Sequence, residues 1–110
     1  MTIEDTGEPG KVSPSDRKLY EQEYKHGADL FQRALSEHSK ADNIYQKEEF
    51  KEVMDQAMQV LNETARELKR QGLLKQNEKI AQDYNDYQSN PTKEGQSRLS
   101  QDLDKAKKSL

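Results

Sequence analysis

The sequence predicts an all-α protein: a small antiparallel bundle of three to four helices with a flexible N-terminal tail. Apolar residues recur at steps of three and four along most of the chain, as they do on one face of an α-helix. Strand-like alternation of apolar and polar residues does not run for any length. The segments between the helical patterns are short and polar, which favours antiparallel neighbours.

Composition limits the size of the core. The chain has 110 residues, enough for one small domain, and only 30% of them are hydrophobic while 35% are charged. The net charge of −3 is too small to indicate full disorder. We therefore expect a lean helical core with frayed ends, with partial disorder as the alternative.

The first helix is predicted over residues 14–38. Residues 1–12 combine glycine, proline and charge and predict a disordered tail, after which Ser13 can cap a helix that starts at Pro14. Gly27 and Ala34 are small residues within the apolar stripe, so we expect a neighbouring helix, preferably helix two, to approach closely there.

One stretch of this helix has a local counterpart elsewhere. YKHGADLFQRAL, from Tyr24 to Leu35, resembles the second helix of a tetratricopeptide repeat in its order of aromatic and small residues. Such proteins need several copies at a period of about 34 residues, and this order does not recur downstream. The resemblance implies a shared way of packing helices rather than a repeat protein.

The second helix is predicted over residues 44–71, after a cap at Asp42 or Asn43. Its apolar stripe from Phe50 to Leu68 covers an arc of about 160°, wide enough to touch more than one neighbour. We expect Gly72 to take the left-handed turn that follows it. Helix two would then be the central element of an up-down-up bundle.

A third helix is predicted over residues 73–88, completing a three-helix core over residues 13–88. Asn90 and Pro91 end it and can start the next. Residues 89–110 form a weaker C-terminal helix with a narrow apolar stripe. The stripes of the three core helices carry aromatic and methionine side chains that we expect in the core: Tyr20, Tyr24, Phe31, Phe50, Met54, Met58, Tyr84 and Tyr87.

The residues needed for catalysis or metal binding are poorly represented. The chain has no cysteine, and its two histidines, His26 and His38, lie about 18 Å apart along one helix, too far to share a metal. Carboxylate pairs such as Asp102 and Asp104 are expected on solvated faces. We assign no catalytic, cofactor-binding or metal-ligating residue, and we expect no cofactor.

Location and broad partner class follow from the same composition. Apolar runs are too short for a membrane span, and the N-terminus lacks a signal peptide, so we expect a soluble, cytoplasmic protein. Its mixed charges, with a pI near 5.4, argue against nucleic-acid binding. No small-molecule substrate is inferred.

These observations predict a non-enzymatic helical protein–protein interaction module, in the role of an adaptor, a chaperone-like subunit or an assembly component. A protein partner or self-association would cover apolar surface that the monomer leaves open. The alternatives are a nucleic-acid-associated helical protein and a carboxylate-based enzyme. The candidate partner-binding residues are Tyr45, Tyr87, Leu99, Leu103 and Leu110.

Overall fold

A computed structural model describes residues 14–110, and the predicted all-α bundle is confirmed. These residues form four helices: α1 (Pro14–Lys40), α2 (Ile44–Leu68), α3 (Gln71–Ser89) and α4 (Lys93–Lys108). The predicted disordered tail and the Ser13 cap lie outside the described residues.

The helices form a closed ring rather than a row. α1 packs on α2 and α4, and α3 packs on α4 and α2, within an elongated body of 51 × 24 × 19 Å. The α1–α2 contact is the most extensive and the α2–α3 contact the least. The prediction that helix two is the central element was therefore wrong, because α4 closes the ring against α1.

The C-terminal helix packs into the bundle and contributes to its core. Leu99, Leu103 and Ala106 have no exposed surface. Thr92 caps the start of α4, since its hydroxyl accepts a hydrogen bond from the Gly95 N–H at 2.9 Å. The narrow stripe that made this helix look weak is sufficient because it lies wholly in the core.

Most of the predicted core residues are buried. Phe31 and Tyr84 meet edge to face with ring centroids 4.9 Å apart, a favourable aromatic geometry. Met54 and Met58 are buried, whereas Tyr20 and Phe50 are only partly covered. The fully buried large side chains come from all four helices: Tyr24, Phe31, Leu35, Met54, Leu61, Leu73, Ile80, Leu99, Leu103 and Asp102.

The connection between α2 and α3 differs from its prediction. α2 ends at Leu68, and Lys69 rather than Gly72 adopts the left-handed conformation, with φ of 56°. Gly72 lies inside α3. The turn falls this early because both Leu68 and Leu73 must reach the core, one from the end of α2 and the other from the start of α3.

Gly27 is a point of close approach between α1 and α2. A Cβ atom at this position would lie 3.1 Å from Cγ1 of Val60 and 3.4 Å from Cδ2 of Leu61. Ala34 on α1 and Ala57 on α2 are also buried and small. The two helices therefore pack with little side-chain volume between them.

The Gly27→Leu variant should lower the free energy of unfolding by about 1–3 kcal/mol or more, because the added side chain has no space beside Val60. Urea or thermal unfolding measures the change. Gly72→Ala is the matched control, since a Cβ there meets nothing within 4 Å. Equal stability of Gly27→Leu and the parent protein would contradict the close packing.

Candidate functional site

The structure separates the five candidate partner-binding residues. Tyr45 is 80% exposed near the start of α2. Leu110 is partly covered and packs against the core. By contrast, Tyr87, Leu99 and Leu103 are at most 3% exposed, because α3 and α4 turn them inward, so these three side chains serve the core and do not offer a surface to a partner.

The exposed large hydrophobic side chains are distributed unevenly. Among the described residues they all belong to α1 and α2: Leu19, Leu30, Ile44, Tyr45 and Val53. On α1, Leu19 and Leu30 are 52% and 36% exposed. They lie on the side of α1 that faces away from α3 and α4.

These side chains share a surface with residues of α2. In a helix with 3.6 residues per turn, Leu19 and Leu30 point in nearly the same direction, and so do Val53 and Val60. Val60 contacts α1 at Gly27, which fixes the side of α2 on which Val53 lies. We call this surface the outer α1–α2 face, made of Leu19, Glu23, Leu30, Glu37, Glu49, Val53, Val60 and Glu67.

The register of the two helices brings the apolar members of this face together. Gly27 lies against Val60, and each step forward along α1 corresponds to a step back along α2 because the helices are antiparallel. Leu30 and Val53 are therefore about one helical turn apart along the hairpin. The groove between α1 and α2 is shallow because the residues at its base, Gly27 and Ala34, are small.

Electrostatic evidence places carboxylates from both helices at one end of this face. The pKa of the Tyr20 hydroxyl is raised above its usual value chiefly by Glu67 of α2, and further by burial, Asp16 and Glu23. A carboxylate raises a phenol pKa only when it is close enough to disfavour the phenolate. Acidic side chains of both α1 and α2 therefore lie near Tyr20.

A second candidate site is a buried pair of carboxyl groups between α3 and α4. Asp83 and Asp102 are 8% and 2% exposed, and Oδ2 of each carboxyl group is buried without a hydrogen-bond partner. Burial, the hydrogen bond to Asp83 and the charge of Asp83 together raise the pKa of Asp102 to about 6, against the opposing charges of Lys79 and Lys105. Repulsion between two buried carboxylates favours a protonated form of such a pair.

This position overturns the expectation that Asp102 belongs to a solvated face. Asp104 is exposed as expected, but Asp102 points at α3, where Lys79 Nζ lies 3.8 Å from its Oδ1. Asp102 is almost fully buried, whereas Asp83 lies at the edge of a surface cleft that Glu94 and Arg98 also line. Within residues 14–110, no group of three or more histidine, cysteine or acidic side chains could hold a metal ion. The pair is a proton-binding element of the core.

Other polar groups tie the helices together. The Tyr24 hydroxyl donates to Oδ1 of Asn77 at 2.8 Å, and Asn77 Nδ2 donates to Oδ1 of Asn62, so one buried chain crosses α1, α3 and α2. The Tyr84 hydroxyl donates to the Asp55 carboxylate beside it. Side-chain hydrogen bonds therefore link α2 to α3 at Asn62–Asn77 and at Asp55–Tyr84.

One histidine lies at the end of the bundle. His38 Nδ1 is 3.0 Å from the Tyr87 hydroxyl, and the pKa of His38 is lowered first by burial and then by the nearby Lys47. The charge of Glu48 opposes this lowering. His26 is exposed on α1. A histidine hydrogen-bonded to a phenol is typical of a packed side chain.

Surface clefts are shallow and mixed in charge. The cleft between α2 and α3 has a volume of about 340 Å³, and acidic, basic and amide side chains all line it, including Asp55, Glu63 and Arg66. Such a lining selects no ligand class. None of the helices formed by residues 14–110 combines the length and apolar character needed to cross a membrane.

Comparisons with known proteins identify no relative: no protein-family model, curated protein or solved structure matches the chain significantly.

The Asp102→Asn variant should be more stable than the parent protein above about pH 6, by about 1–3 kcal/mol. Because folding raises the pKa of Asp102, the folded protein binds this proton more tightly, and stability is lost as the pH rises from about 4 through about 6. The amide carries no charge at any pH and keeps a donor for Asp83.

Urea unfolding from about pH 4 to about pH 8 tests this, with the difference between variant and parent as the readout. Asp104→Asn is the control, because Asp104 is exposed and binds Gln32 at the surface. A difference curve that stays flat across this range would show that folding does not raise the pKa of Asp102.

Proposed function

We propose that this protein is a non-enzymatic helical interaction module that binds another protein through the outer α1–α2 face. The observation that carries the proposal is the uneven surface: within residues 14–110, α1 and α2 expose large hydrophobic side chains and α3 and α4 do not. Adjacent apolar side chains exposed on one face are typical of protein interaction sites.

The small number of hydrophobic residues in the sequence supports this proposal. Only 30% of the residues are hydrophobic, yet Leu19, Leu30 and Val53 are left on the outside of the bundle. The core below them is complete without them, since fully buried side chains from all four helices fill it. Covering these residues with a partner would remove apolar surface from water at about 25 cal/mol per Å².

Tyr45 extends the same surface at its far end. It precedes Glu49 by one helical turn on α2, and its ring is 80% exposed. Tyrosine is enriched among the residues that dominate binding energy because it offers a large apolar ring and a hydroxyl. Of the residues first predicted from the sequence to bind a partner, Tyr45 fits this face best.

The alternative functions receive less support. The carboxyl pair that a carboxylate-based enzyme would use, Asp83 and Asp102, is buried between two helices. Nucleic-acid binding requires clustered basic side chains, whereas carboxylates flank the outer α1–α2 face. The interaction role accounts for the exposed apolar residues, which neither alternative does.

Site-specific photo-crosslinking tests the proposed function. The chain has no cysteine, so Val53→Cys creates a single attachment point for a benzophenone crosslinker. In an extract of the cells that make the protein, we expect a discrete protein adduct at this position. The adduct should disappear when Leu30→Asp is added, because a carboxylate in the apolar centre cannot be buried without a partner.

Gln82→Cys is the matched control, because Gln82 is exposed on α3, away from the outer α1–α2 face. Circular dichroism and thermal unfolding establish that each variant is folded. Adducts that are equally strong at both positions, or that persist with Leu30→Asp, would contradict the proposed face, as would the absence of any adduct at position 53.

A further inference from the structure

We infer that the segment bound by the outer α1–α2 face is a positively charged amphipathic helix about five turns long. This inference deepens the proposed function and depends on it. It rests on two features of the face: the order of its apolar and acidic residues along the hairpin, and the absence of lysine and arginine from it within the described residues.

The residues of the face have the same spacing on both helices, although apolar and acidic residues alternate on α1 and the acidic residues lie at the two ends of the stripe on α2. On α1, Leu19, Glu23, Leu30 and Glu37 follow one another on one side. On α2, the corresponding residues are separated by the same four, seven and seven positions: Glu49, Val53, Val60 and Glu67. Spacings of this kind keep side chains on one stripe, so the face has two parallel stripes.

Because α1 and α2 are antiparallel, the apolar and acidic residues of the two stripes form separate groups along the hairpin. Leu30, Val53 and Val60 form an apolar centre, while Glu23 and Glu67 lie at one end, next to Tyr20. The other two glutamates, at positions 37 and 49, lie at the opposite end because α1 and α2 run in opposite directions. The face is thus apolar in the middle and negative at both ends, and Leu19 lies beyond Glu23 at one of these ends.

The basic residues near the face lie beside the two stripes or away from them. Arg33 and Lys40 of α1 are exposed four residues before and three residues after Glu37, and Lys47 of α2 lies by His38 at the end of the bundle. Arg70, between α2 and α3, pairs with Glu21 on the opposite side of α1. The charged residues of the two stripes are therefore all carboxylates, and of these four glutamates Glu37 has lysine or arginine of α1 within one helical turn.

The length of the partner follows from the acidic ends. Glu23 and Glu37 are about 21 Å apart along α1, and Glu49 and Glu67 about 27 Å apart along α2, at 1.5 Å per residue. A helix of about 18 residues spans this distance. Apolar side chains in its middle turns would cover Leu30 and Val53, and lysine or arginine in its terminal turns would reach the carboxylates.

A second copy of the chain fits this face poorly. A two-fold contact through the face would place glutamates opposite glutamates, which raises the electrostatic energy of the dimer. The net charge of −3 adds to this repulsion. Charge complementarity favours a cationic helix instead.

Three synthetic 18-residue helical peptides test the inference. They share the same central leucines at steps of three and four, and their terminal turns carry lysine, glutamine or glutamate. Binding to the full chain is measured by fluorescence anisotropy at about 50 mM salt. We expect the lysine peptide to bind at least about tenfold more tightly than the glutamine peptide, and the glutamate peptide to bind most weakly.

A charge-reversal variant gives the complementary result. Glu23→Lys combined with Glu67→Lys should reduce the affinity for the lysine peptide by at least about tenfold and increase that for the glutamate peptide. Glu78→Lys combined with Asp86→Lys makes the same change in net charge on exposed positions of α3, and it should leave the order of the three peptides unchanged. Thermal unfolding confirms that both variants fold.

The possible outcomes distinguish failure of this inference from failure of the proposed function. Equal binding of the three peptides, lost with Val53→Asp, would overturn the cationic partner while supporting the face. Failure of the lysine peptide to bind at about 1 mM would overturn the inference, and the crosslinking result would decide the face independently. Concentration-dependent dimerisation that is lost with Val53→Asp would assign the face to a second copy and overturn the cationic helix.

Discussion

The close approach of α1 and α2 at Gly27 is the contact on which the rest of the structure depends. A missing Cβ lets Val60 lie against the backbone of α1, which fixes the register of the hairpin. With that register, Tyr24, Phe31 and Leu61 point toward α3 and α4 and are fully buried. The same register leaves Leu30 on the outside. One small residue therefore determines both the core and the surface proposed for partner binding.

Buried polar groups give this lean core its specificity. A bundle with few apolar residues could pack in several registers, since hydrophobic contact alone is not directional. The chain of hydrogen bonds from Tyr24 through Asn77 to Asn62 is satisfied in only one arrangement of α1, α2 and α3. Between α3 and α4 burial and Asp83 raise the pKa of Asp102 to about 6, which makes this contact sensitive to pH.

Local patterns predicted much of the fold and little of the site. Helical periodicity located all four helices, and the small Gly27 and Ala34 marked the side of α1 that meets α2. The pattern could not place Leu99 and Leu103, predicted to bind a partner, because whether a stripe faces a neighbour or solvent depends on where the other helices lie. Leu30 and Val53 were missed for the converse reason. Their glutamate neighbours at regular spacing were the available signal.

The sequence by itself determined the secondary structure, because periodicity, caps such as Asn43 and short polar connections are local properties. It also determined that the core would be small, since composition sets the apolar surface available for burial. Only the tertiary structure decided that α4 closes the ring, that Asp102 is buried against Asp83, and that the exposed apolar residues gather on α1 and α2. Each of these features depends on contacts between residues distant in the chain, and the sequence of a single segment does not reveal such contacts.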